Sequence, residues 1–112
     1  MKFSMFIGRW QPWHKGHRWL IDQRLNEGKR VLICIRDVDY DEKNPFSPEE
    51  VKKNIEKELE SLIEKKVVKV IIIPDIESVN YGRGVGYDII EHCPPENIGS
   101  VSATKIRKKL LK

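Results

Sequence analysis

Apolar positions along the chain alternate between a strand period and a helix period. Residues 3–7 form a short apolar run closed by Gly8, which predicts a first strand. Residues 8–16 hold two glycines and Pro12 and read as a loop. Over residues 17–27 Leu20, Ile21 and Leu25 share one helical face, and Gly28 supplies a stop. Residues 31–35 are continuously apolar and largely β-branched, as in a parallel strand covered on both faces. Residues 37–46 are acidic and polar, a loop. A second helix then has a clear start: Ser47 as N-cap, Pro48 in the first helical position, Glu50 closing a capping box. Val51, Ile55, Leu59, Leu62 and Ile63 give it an apolar stripe, and its Lys and Glu residues read as a solvated face. Residues 67–73 predict a third strand, ended by Pro74. A loop over 75–86, a fourth strand or else a helical turn over 87–92, a loop over 94–100 and a last helix over 102–111 complete the pattern, with Ile106 and Leu110 one turn apart.

Strands and helices that alternate at this spacing imply right-handed crossovers. The expected architecture is α/β: a single Rossmann-like domain over residues 1–112, with a parallel sheet of four to five strands and helices on both faces. In such sheets ligands bind beyond the carboxyl ends of the strands. That makes the loop after the first strand the leading place to look for chemistry.

Composition narrows the picture. Of 112 residues, 39% are apolar and 34% charged, which predicts a modest core under a heavily charged surface. No apolar run is long enough to span a bilayer, and Met1-Lys2-Phe3-Ser4 leads directly into a strand pattern rather than a signal peptide. Cys34 and Cys93 are too few for a disulfide framework, so a cytoplasmic setting is expected. The net charge of +4 suits an anionic small molecule. Part of the excess lies in Lys105, Arg107, Lys108, Lys109 and Lys112. A core this small favours a homodimer.

The loop after the first strand reads Gly8-Arg9-Trp10-Gln11-Pro12-Trp13-His14-Lys15-Gly16-His17. Gly8 allows a sharp turn off the strand, and Gly16 allows close backbone approach at a helix start, where N–H groups and the positive dipole end suit phosphate. His14 and His17 flank Gly16, and Arg9 adds a permanent charge that can fork onto phosphate oxygens. A zinc site is the competing reading of the His pair, but it lacks a third ligand: His92 is the only other histidine, and Cys34 sits in a strand core. At the far end, Ser102 and Thr104 stand at a predicted helix start with Arg107 one turn on, a second set of phosphate-binding groups. Taken alone, an ordinary capped basic helix explains it. Tyr81-Gly82-Arg83-Gly84-Val85-Gly86-Tyr87 allows close backbone approach and stacking, and reads equally well as a loop feeding a strand.

The first of these segments resembles the His-x-Gly-His nucleotidyltransferase superfamily. It is most similar to the nicotinamide-mononucleotide adenylyltransferase branch, usually written G-R-F-Q-P-F-H-x-G-H. Val101-Ser102-Ala103-Thr104-Lys105-Ile106-Arg107 resembles that superfamily's I-S-S/T-T-x-I-R signature. Asn44-Pro45-Phe46-Ser47-Pro48-Glu49-Glu50 is similar to the branch's N-P-F-(S/T)-x-x-E-R segment, with Val51 in place of the Arg.

The resemblance implies an enzyme that transfers AMP, or CMP, from a nucleoside triphosphate to the phosphate of a small acceptor and releases pyrophosphate. It assigns catalytic roles to His14, His17 and Arg107, and triphosphate binding to Gly8, Arg9, Gly16, Ser102, Thr104 and Arg107. Base and ribose would lie against Arg83, Gly84 and Tyr87. ATP or CTP would be the substrate, with Mg²⁺ carried on the triphosphate and no dedicated protein metal site. A membrane partner is not expected and nucleic acid is disfavoured, because no aromatic–basic alternation lines a predicted strand. The alternative is a nucleotide- or nucleic-acid-binding module without turnover.

Overall fold

The computed structural model describes residues 2–84 and 86–95. Three strands, β1 (Phe3–Gly8), β2 (Arg30–Asp37) and β3 (Val68–Pro74), form a parallel sheet in the order β1-β2-β3. Helix α1 (Lys15–Leu25) joins β1 to β2. Helices α2 (Pro48–Glu58) and α3 (Glu60–Glu64) join β2 to β3. The strand and helix types match the apolar periods, with ends shifted by a few residues.

Register decides which side chains meet. Phe6 pairs with Ile33, which pairs with Val70, so all three project to one face. With Val31, Ile35 and Val68 they join Ile21 of α1 and Val51 and Ile55 of α2 in a single buried cluster. Both crossover helices therefore cover this face. On the other face stand Met5, Ile7, Leu32, Ile71 and Ile73. None belongs to the cluster, and Met5 is 58% exposed. The expectation of helices on both faces is thus met on one face only among the described residues.

The long helix expected after Ser47 is divided at Leu59, whose φ of −110° and ψ of 20° depart from helical values. The Ser47 side chain accepts a hydrogen bond from the Glu50 N–H at 3.1 Å, as the N-cap reading required. Lys66, at φ 62°, closes α3: its N–H reaches the Ile63 carbonyl at 2.9 Å, and the Val67 N–H reaches Leu62 at 3.1 Å. This is a Schellman ending with lysine where glycine is usual.

Residues 87–92 were expected as a fourth strand but form neither strand nor helix. Their alternation is broken by Asp88 beside consecutive Ile89 and Ile90, which are both exposed. The described sheet has three strands rather than four to five. The expected helix over 102–111 lies outside the described residues.

Candidate active site

The site grows from the junction of β1 and α1, at the carboxyl edge of the sheet. Gly8 ends the strand. Its backbone avoids the left-handed region, so the sharp-turn reading is corrected by packing: an added Cβ would lie 2.9 Å from Cε2 of Trp10. Glycine is there to let the Trp10 indole approach. Trp10 itself holds φ 55°, is 6% exposed, and donates its indole N–H to the Cys34 carbonyl at 3.0 Å. Gln11 is 2% exposed, and its amide makes a paired contact with Phe46, donating to the carbonyl at 2.8 Å and accepting from the N–H at 3.0 Å. The loop is thereby fastened to β2 on one side and to the entry of α2 on the other. The Gln11–Pro12 peptide is cis.

His14 is the N-cap of α1, and His17 is its third residue. The two side chains cap the helix reciprocally. His14 Nδ1 accepts from the Gly16 N–H at 3.0 Å, and His17 Nδ1 accepts from the His14 N–H at 3.2 Å. Their rings stack at 3.7 Å between centroids, 22° from coplanar. A backbone N–H can only donate, so each Nδ1 presents a lone pair and each ring carries its hydrogen on Nε2. Burial lowers the pKa of His14; burial, and then the charge of His14, lowers that of His17 to about 3. Two stacked cations in a partly dry site would repel one another and lose hydration. With Nδ1 of each ring engaged as an acceptor, both are neutral Nε2–H donors.

The same geometry revises the role of Gly16. Its N–H is engaged by His14, and the His17 N–H bonds the His14 carbonyl at 3.0 Å. Arg9 stands six residues before the helix and reaches Asn44 Oδ1 through Nη1 at 3.4 Å. Asn44, 6% exposed, donates its own Nδ2 to Asp41 at 2.9 Å.

A recess of about 350 Å³ opens at the same carboxyl edge, lined by Ile7, Arg36, Ile76, Glu77, Ser78 and Val79. Arg36 is held by Asp75, with Nη2 to Oδ1 at 2.8 Å, and by the Ile76 carbonyl at 3.2 Å. Pattern reading missed this recess. Its only signal was an arginine at the end of an apolar strand, facing an acidic turn after the next one.

Of the expected site residues, the structure brings together His14 and His17, with Gly8 and Arg9 in the loop before them and Gly16 in the first turn of α1. Arg83, Gly84 and Tyr87 are exposed and do not line the recess. Ser102, Thr104 and Arg107 lie outside the described residues. Among the described residues no three His, Cys, Asp or Glu side chains gather where they could hold a metal ion. No described helix is long and apolar enough to cross a membrane.

No family model matches the chain. It is 33% identical over 81 residues to a nicotinamide-nucleotide adenylyltransferase of Thermoplasma acidophilum, a match covering 70% of this chain and 43% of that protein. It is 35% identical over 49 residues to one of Methanocorpusculum labreanum, covering 42% of this chain and 29% of the relative. A third, from Caldivirga maquilingensis, is 44% identical over 46 residues, covering 39% and 26%. The matches span less than half the length of each curated relative. The chain is thus a distant, partial likeness of three archaeal adenylyltransferases, and that likeness supports the nucleotidyltransferase family.

Proposed function

We propose that this chain is a nucleotidyltransferase domain, one that moves AMP, with CMP as the second choice, from a nucleoside triphosphate onto a small phosphorylated acceptor. The stacked His14–His17 pair carries the reading. Two neutral imidazoles locked side by side at a helix start offer two hydrogens to one anion. The helix dipole and the Arg9 guanidinium add charge of the right sign.

An acceptor phosphate oxygen attacks the α-phosphorus in line. The new P–O bond forms as the bond from α-phosphorus to the bridging oxygen breaks, and pyrophosphate departs. The Nε2–H groups of His14 and His17 donate to oxygens of the transferring phosphoryl as charge builds there, and Arg9 holds the departing phosphates. Ser102, Thr104 and Arg107 are assigned to the same leaving group. Arg83, Gly84 and Tyr87 are assigned to base and ribose. Mg²⁺ would supply charge neutralisation on the triphosphate, held mainly by substrate and water. The recess beside Arg36 seats the acceptor, with Ile7 and Ile76 as apolar wall and the guanidinium beside its phosphate.

Nicotinamide mononucleotide heads the acceptor candidates, because the three relatives bear that activity in their names. A homodimer in the cytoplasm is the proposed working form. Pyrophosphate release from ATP and from CTP, against a panel of phosphorylated acceptors, tests the reading. Nucleotide binding without release under every pairing would favour the non-catalytic module.

A further inference from the structure

Trp10 adopts a backbone conformation that bulky residues rarely hold, with φ 55°. Such strain persists only where surrounding contacts impose it. Three contacts do so. The indole N–H is tied to the Cys34 carbonyl on the central strand at 3.0 Å. The ring lies against Gly8, where any Cβ would collide with it. Its plane stands 88° from that of His17, with centroids 4.8 Å apart.

His17 has few other constraints on its orientation. One hydrogen bond, from the His14 N–H to Nδ1, fixes a single point of the ring. The His14 ring covers one face at 3.7 Å, and Trp13 lies 5.4 Å away at an oblique 44°. The indole, perpendicular to the imidazole, is a further contact against turning about the Nδ1 hydrogen bond.

We propose that Trp10 is a positioning residue, whose indole, anchored by its N–H to the Cys34 carbonyl, holds the His17 ring in the orientation that aims its Nε2–H at the bound anion. This rests on the transferase reading for what the aim accomplishes, but the orientation itself does not. A phenylalanine at this position would keep an aromatic wall and lose the anchor. Trp10 would then act on the transition state through His17 rather than by touching substrate.

Long-range ¹H–¹⁵N spectra of the histidine rings test it in the intact chain. In the wild type His17 should show one tautomer, with its hydrogen on Nε2, from pH 5 to pH 8. A tautomer mixture, or titration near the ordinary value, overturns the proposal without any variant being made. Trp10→Phe should broaden or shift the His17 ring signals and lower kcat for pyrophosphate release about tenfold, with KM for the triphosphate changed less than about threefold. Circular dichroism checks that this variant folds. A folded Trp10→Phe chain with wild-type ring signals also overturns the proposal, as does one with wild-type kcat. If the wild type releases no pyrophosphate with any acceptor, the transferase reading fails, and the ring spectra still decide whether Trp10 sets His17.

Discussion

His17 serves two purposes that pull against each other. As the third residue of α1 it caps the helix with its own lone pair. As a partly buried ring stacked on His14 it stays neutral, which makes the fold sensitive to acid. Its pKa is about 3 in the folded chain against an ordinary 6.5. Between those values the unfolded chain binds the proton and the folded chain does not, so stability rises with pH across that window. Acidification below about pH 6.5 should therefore weaken the fold progressively, levelling off near pH 3; His14, lowered in the same direction, adds to the trend. Urea unfolding at pH 7 and pH 4.5 measures this, with His17→Gln as reference. The wild type should lose more stability than the variant, and equal losses would place the proton elsewhere. For catalysis, His17→Ala should reduce turnover by about 10² or more, as loss of a transition-state hydrogen-bond donor does. Turnover within a few-fold of wild type would remove His17 from the reaction. Gly8→Ala should cost about 1–3 kcal/mol, because the indole of Trp10 is fixed at both ends and cannot yield to a new methyl. A melting temperature matching wild type would show that the ring gives way.

Elements with a strong local pattern were legible in the sequence, and those set by their surroundings were not. The N-cap at Ser47 and the proline at Pro48 placed the start of α2 to the residue, because capping is written locally. Helix α1 begins two residues earlier than its apolar face suggested, at Lys15, because His14 caps it, a role histidine seldom plays. The division at Leu59 and the Schellman ending at Lys66 were not foreseen, since neither contains the glycine that usually marks such places. In the site, the His pair, Arg9 and the glycines could be named from spacing. The Gln11–Phe46 pairing and the Trp10 anchor depend on contacts 35 and 24 residues apart in sequence, and the tautomers on hydrogen bonds that exist only once His14 caps the helix. The unforeseen ending also yields a test. Lys66 is exposed and stays in the left-handed region at a cost of about 1–2 kcal/mol, so Lys66→Gly should stabilise the chain by about 1 kcal/mol in chemical denaturation. A destabilised variant would mean that the lysine side chain makes contacts that outweigh its strain.

At the scale of the molecule, the two faces of the sheet differ. Parallel strands occur almost only where both faces are covered, and the near-continuous apolar sequence of β2 suits that condition. Yet the described helices load one face alone: Ile33, fully buried, points into the cluster with Ile21 and Ile55, while its neighbour Leu32, half-buried, points away from it. The contrast between adjacent residues of one strand is a measure of how unequal the faces are. Ile33→Ala should cost about 2–5 kcal/mol, the loss of buried atoms plus the cavity they leave. Leu32→Ala should cost clearly less, because a partly exposed side chain forfeits only part of its transfer energy and leaves a dent that water fills. Urea denaturation of both variants, at two protein concentrations, reads the difference directly. Similar costs for the two would show that the second face is covered in solution. If the cost at Leu32 also rose with protein concentration, the cover would be a second copy, since only association makes stability depend on concentration.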